Sequence, residues 1–184
     1  MTDLSKITKI GTEVAVEGFG KIRLLDTQYN GVSVKTWQFT DAVENNVYLG
    51  YPNDRNTDGY PTAKKVHKTL ENIYERLPKW LKDQILVTPV PCYIPATKRN
   101  RLFKAKLFLL SATEICHMEC GVPSEGRPLE FYIKKTPEWS HWHWLRSPYR
   151  GYSYGEWLVT NTGNVYGSYY AYSSGAVVPA FTTY

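Results

Sequence analysis

His141-Trp142-His143-Trp144-Leu145-Arg146-Ser147-Pro148 leads into a run rich in Tyr, Ser, Gly and Asn, which ends in Gly175-Ala176-Val177-Val178-Pro179-Ala180-Phe181. The last segment decides the fold. Left in solvent, Val177, Val178 and Phe181 would each forgo roughly 1.5–3 kcal/mol of burial. Residues 176–182 are therefore expected to form a closing strand, with the amino-terminal hairpin as its natural partner. Trp is usually buried and takes one hydrogen-bond partner for its N–H. Trp142, Trp144, Leu145 and Trp157 are accordingly assigned to the core beneath the Tyr-rich run, with Arg146 hydrogen-bonding carbonyls of the loops above.

Between 149 and 174 stand Tyr149, Tyr152, Tyr154, Tyr166, Tyr169, Tyr170 and Tyr172, interleaved with Ser153, Asn161, Asn164, Ser168 and several glycines. Tyr supplies a large amphipathic contact area at low entropic cost, and Ser, Gly and Asn supply adaptable hydrogen bonds, as in antibody paratopes. The same residues also populate ordinary strands and hairpins. Both readings stand at this level.

Upstream, residues 12–26 alternate apolar and polar side chains around Gly18 and Gly20, which predicts a hairpin, and 32–39 predicts a further strand, so amino-terminal strands span 12–39. Residues 51–61 are dense in turn formers. Val66, Leu70, Ile73, Tyr74 and Leu77 recur at helical spacing, with Thr62 to cap and Pro78 to stop a helix over about 63–77. Trp80, Leu81 and Ile85 suggest another helical turn. Prolines at 89, 91 and 95 enforce extended or turning backbone. A basic loop around Lys98, Arg99, Arg101, Lys104 and Lys106 precedes a short apolar strand over 105–110, and the capping box Ser111-Ala112-Thr113-Glu114 predicts a second short helix. The class is α+β.

At 184 residues the chain suits a single domain, 1–184. Its net charge of +5 is a modest, scattered excess that disfavours nucleic acid as a partner. The first ten residues lack an apolar core of signal-peptide length, and no apolar run is long enough to span a bilayer, so cytoplasmic synthesis without a signal and without membrane insertion is expected. Three cysteines, Cys92, Cys116 and Cys120, imply no disulfide framework. His141 and His143 share a strand face by spacing, and Cys116, His117 and Cys120 cluster, but neither set reaches the ligand count of a metal site. Asn53, Asp54, Asn56 and Asp58 lack the bidentate Glu of an EF-hand loop. No cofactor is expected, and no motif sets a base beside Ser111, Ser147 or a cysteine.

Taken in order, Phe108-Leu109-Leu110-Ser111-Ala112-Thr113-Glu114-Ile115, Trp144-Leu145-Arg146-Ser147-Pro148, Trp157-Leu158-Val159 with Gly163, and Gly175 to Phe181 resemble the landmarks of the DUF6273 domain, a family of Gram-positive gut bacteria and their phages. The resemblance covers most of the chain from about Gly11, the 67–86 region included. It implies a C-type-lectin-like fold, with terminal strands paired in an antiparallel sheet, two helices, and a long irregular display region over 149–174. The chain departs from the pattern at Gly175-Ala176-Val177-Val178-Pro179, where the family often has Gly-Val-Arg-Pro and hence an arginine to anchor the core. Calcium-dependent lectin motifs are absent. More distantly, the chain resembles the variable proteins of diversity-generating retroelements. That likeness implies a ligand-binding set of Tyr149, Arg150, Tyr152, Tyr154, Glu156, Asn164, Tyr166, Ser168, Tyr169, Tyr170, Tyr172 and Ser173. The expected role is non-enzymatic: a virion protein on a phage tail or capsid surface, contacting a host-surface protein or glycan, other virion proteins, or copies of itself. A purely structural decoration is the alternative, followed by an enzyme like the formylglycine-generating enzymes, whose paired-cysteine motif Cys116 and Cys120 do not match.

Overall fold

The computed structural model describes residues 2–49, 64–94, 97–116, 124–135, 139, 141–149, 155–170 and 173–184, with backbone alone at 168 and 169. The protein is α+β, mostly sheet. The 12–26 hairpin forms as expected, from β1 (Glu13–Val16) and β2 (Gly20–Asp26), with Val16 opposite Gly20. Gly18 and Gly20 carry the turn at φ +77° and +80°, a region that a Cβ disfavours. β3 (Lys35–Phe39) pairs with β2. The closing segment then adds on the far side of β3.

That segment is two strands, not one. β10 (Ser174–Val177) and β11 (Ala180–Thr183) are separated at Val178-Pro179, because proline has no N–H to continue a ladder. β11 pairs antiparallel with β3, Phe181 opposite Trp37, giving a sheet of order β1-β2-β3-β11. It meets β3 and not the hairpin itself, since β3 already occupies the inner edge of β2. Both rings are fully buried, and Trp37 Nε1 donates to Thr183 Oγ1 at 3.1 Å. β10 lies in a second sheet of order β4-β10-β7-β8-β9, built from β4 (Glu44–Tyr48), β7 (His143–Pro148), β8 (Gly155–Val159) and β9 (Val165–Tyr170). One short segment thus joins two sheets. The junction is held by Phe39 N–H to Pro179 O at 3.0 Å and Val43 N–H to Val177 O at 3.0 Å.

α1 (Lys64–Arg76) buries Val66, Leu70 and Ile73, the predicted stripe, and α2 (Lys79–Lys82) follows Pro78. Thr62, Ala63, the 51–61 turn region and Pro95 lie outside the described residues. The basic stretch is a strand rather than a loop: β5 (Thr88–Ile94) and β6 (Arg99–Ala105) form a two-stranded ribbon. Prolines 89 and 91 are tolerated there because, among the described residues, β5 has a ladder partner on one side only. Residues 106–110 form no strand beyond an isolated bridge from Phe108 to Ala180.

The capping box makes both reciprocal bonds, Ser111 N–H to Glu114 Oε2 at 3.0 Å and Glu114 N–H to Ser111 Oγ at 3.0 Å, yet no helix grows from it. Cys116 at φ +66° ends the turn, and Glu114 is held by a partner outside it. A helix that sequence periodicity missed, α3 (Glu130–Lys134), is too short to show a pattern. Its Glu130 N–H is capped from afar by Asp26 Oδ2 at 3.0 Å. No helix among the described residues is long and apolar enough to cross a membrane.

Because Phe181 is fully buried at the seam of the first sheet, Phe181→Ala is expected to cost about 3–5 kcal/mol in chemical denaturation. Ile133→Ala, at 62 % exposure, should stay within about 0.5 kcal/mol of wild type.

Candidate ligand-binding surface

β7 carries the support of the candidate surface. Its Arg146 is fully buried and donates from Nη1 to Glu114 Oε2 at 2.6 Å and from Nη2 to Glu114 Oε1 at 2.8 Å. Two further bonds reach Leu109 O at 2.8 Å and Pro91 O at 3.0 Å. The carbonyls expected for Arg146 are therefore those of β5 and the segment before the capping turn, not of the display loops. Burial is the largest single influence and works against the Arg146 charge, but the adjoining Glu114 carboxylate together with Tyr29 and Cys92 outweighs it, and the guanidinium pKa stands well above its ordinary value. Next to it Ser147 Oγ donates to Glu125, accepts from Ala112 N–H at 2.9 Å, and is buried. Glu125 Oε1 also takes Tyr93 N–H at 2.6 Å. Gly126 packs so closely that a Cβ would lie 2.8 Å from Glu114 Oε1. Ser147 is thus a tie within the core, with no access for a substrate.

Above this support, β8 and β9 form a hairpin whose turn runs Thr160-Asn161-Thr162-Gly163-Asn164. Gly163 sits at φ +79°, Thr160 N–H donates to Asn164 O at 2.8 Å, and Asn164 Nδ2 donates to Thr162 Oγ1 at 3.2 Å. Trp139 N–H fixes the turn through Asn161 O at 3.2 Å. Beside the turn opens a cleft of about 260 Å³ lined by Trp142, Leu158, Thr160, Asn161 and Tyr166. The Asn161 carboxamide makes no hydrogen bond among the described residues. Trp144 and Trp157 are buried as expected, Trp144 Nε1 donating to Val47 O at 3.0 Å. Trp142 differs: it is half-buried, edge-on to Trp144 at 5.6 Å, and its other side forms the cleft wall. Gly175 and Gly167 admit these rings. A Cβ would lie 2.6 Å from Trp142 at the first and 2.7 Å from Trp157 at the second.

The expected binding set is distributed as follows. Tyr166 is 60 % and Tyr170 49 % exposed on β9; a register shift between them sets Tyr166 opposite Leu158, on the cleft side, and Tyr170 opposite Gly155, on the other face. Tyr149 is half-buried against Trp157 at 5.5 Å, Asn164 is exposed but engaged in its turn, and Ser173 is half-buried with its N–H on Tyr170 O at 2.9 Å. Glu156 is buried in β8 opposite Tyr169. Ser168 and Tyr169 lie in β9 by their backbone. Arg150, Tyr152, Tyr154 and Tyr172 lie outside the described residues. The 149–174 region is accordingly not irregular throughout, because much of it is the β8–β9 hairpin. Leu158, Thr160 and Asn161 were not foreseen as lining. The signal was the Thr-Asn-Thr-Gly-Asn turn, which sets Trp142 against Tyr166.

His141 is exposed and His143 is buried against Trp139, with ring centroids 4.5 Å apart, so the pair does not share a ligand-ready face. Among the described residues no three His, Cys, Asp or Glu side chains converge as a metal site. Cys92 and Cys116 are free thiols, and burial pushes the pKa of each up. His117 and Cys120 lie outside the described residues.

The sequence model of DUF6273, described as a domain of unknown function, matches residues 48–183, well over half of the chain. The chain belongs to the DUF6273 family. The matched part of this DUF6273 protein holds α1, the Arg146 support and the whole cleft, while β1 to β3 precede it. No curated protein and no solved structure matches the chain.

Removing the guanidinium leaves Glu114 buried without its counter-charge, so Arg146→Met should destabilise the DUF6273 fold by about 3–5 kcal/mol in urea denaturation. Two other buried groups set an opposed pH dependence. Burial pushes the Glu125 carboxyl up from 4.5 to about 7 and the His143 imidazole down from 6.5 to about 4. From pH 4.5 to about 7 the native chain keeps a Glu125 proton that the unfolded chain releases, so that contribution declines as pH rises. From about pH 4 to 6.5 the unfolded chain takes up a proton that native His143 does not, so that contribution grows. Glu125→Gln should therefore leave stability rising more steeply than in wild type across the His143 window. An unchanged profile would show that Glu125 titrates alike in the native and the unfolded chain.

Proposed function

We propose that this DUF6273 protein is a binding protein of C-type-lectin-like fold, carried on the tail or capsid surface of a phage, that contacts a receptor or glycan on its host cell. The observation that carries the reading is the aromatic cleft, with Trp142 set opposite the exposed Tyr166, and with Tyr170 exposed farther along the same strand. None of the five lining residues bears a charge. An indole, a phenol and an open carboxamide suit a neutral ligand that presents a flat apolar face and hydroxyl groups, such as a sugar ring. The surface rests on a strand pinned through Arg146, so little ordering is left for binding to impose. One small cleft implies modest affinity per copy, raised by avidity when several copies share a particle.

The alternative, a structural decoration that packs against other virion proteins, is favoured by a separate apolar groove on the β5–β6 ribbon. A particle component can carry both surfaces, one facing the host and one facing the assembly.

The test is binding of purified protein to intact Gram-positive host cells, wild type beside Tyr166→Ala/Tyr170→Ala, with folding followed by melting temperature. The double variant should bind about tenfold more weakly or worse, with stability changed by about 1 kcal/mol at most. Equal binding by a folded variant would remove β9 from the contact. A large loss of stability would return the tyrosines to the scaffold.

A further inference from the structure

Eight large hydrophobic side chains stand exposed among the described residues, and four of them, Val32, Val87, Leu102 and Tyr184, line one groove of about 500 Å³. Pro89 contributes to the same lining, which contains no charged side chain. Leu102, at 68 % exposure, carries the groove onto β6, whose outer edge has no partner strand among the described residues. An apolar concavity beside an open sheet edge is the arrangement by which an extended peptide is captured, with main-chain bonds to the edge and side chains in the groove.

Charge selects the occupant. From Lys98 to Lys106 the chain holds five cations and no carboxylate. Lys98, Arg99, Arg101 and Lys104 form no ion pair among the described residues, while Lys106 lies over the Tyr74 ring at 4.1 Å. Basic residues on an edge oppose pairing with a second copy, because antiparallel self-pairing would set like charges against each other. They oppose it only for a basic partner. A nucleic acid would engage the cations but would leave Leu102 and the groove unused.

We propose that the β6 edge and its apolar groove dock an extended, acidic segment of a partner protein, with apolar side chains in the groove on the Leu102 face and carboxylates on the other face against Arg99 and Arg101. This surface is built on the β5–β6 ribbon rather than on the β7–β9 sheet, and the inference stands apart from the ligand-binding reading above.

The test uses the full chain and three probes: a blocked synthetic peptide alternating Glu and Val, its Lys and Val counterpart, and a short DNA duplex. Binding is followed by titration and by hydrogen exchange of the β6 amides. The acidic peptide should bind at least about tenfold more tightly than the basic one. It should slow exchange across 99–105 and weaken as salt rises from about 0.1 M to about 1 M. Leu102→Asp, at a solvent-exposed position, should reduce its affinity about tenfold, and Arg99→Glu/Arg101→Glu should shift preference toward the basic peptide. Equal affinity for the two peptides would overturn the proposal. So would duplex binding indifferent to Leu102→Asp, or a protein dimer that Leu102→Asp dissociates while no peptide binds.

Discussion

The Arg146–Glu114 pair is the constraint on which the rest of the structure depends. Both side chains are fully buried, and the desolvation of two charges costs several kcal/mol per ion unless geometry and further hydrogen bonds offset it. Here the guanidinium meets both carboxylate oxygens, two backbone carbonyls accept its remaining reach, and Ser111 N–H adds a bond to Glu114. The satisfied set draws together β5, the 109–114 segment and β7. Glu125 and Ser147 extend it to Tyr93. The buried guanidinium at the centre of this chain comes from β7.

Pinning β7 has consequences on its outer side. β7 holds its own Trp144 and the preceding Trp142 against β10, where Gly175 leaves room for their rings, and it pairs with β8, so the β8–β9 hairpin inherits a fixed base. The same arginine fixes β5 through Pro91 O, and with it the ribbon that presents the basic edge. Two exposed surfaces of different chemistry, one aromatic and uncharged, the other apolar and rimmed by cations, are thus anchored to one buried pair. The link is positional. No coupling between the surfaces follows from it.

Where local chemistry was sufficient, the sequence was legible. The glycine hairpin, the α1 stripe, and the burial of Trp144, Leu145 and Trp157 follow from periodicity, turn residues and side-chain size. Where a side chain answered to a distant partner, local reading failed. The capping box formed its bonds but served Arg146 instead of a helix. The basic residues looked like a loop because their ladder partner is the proline-rich β5, a sequence that argues against a strand in isolation. Glu156 matched a display position by its place in the chain, yet β8 is buried along its length.

By itself the sequence determined the α+β class, the family, the pairing of the two ends of the chain in one sheet, and an aromatic surface near the carboxy terminus. Those rest on hydrophobic pattern, on turn residues and on an ordered set of motifs. Only the tertiary structure decided that the closing segment divides between two sheets at Pro179, that Arg146 is neutralised by Glu114, and which tyrosines reach solvent. The physical reason is shared: a missing N–H, a buried charge and an exposed ring each take their meaning from partners far along the chain, brought near only when the sheets close.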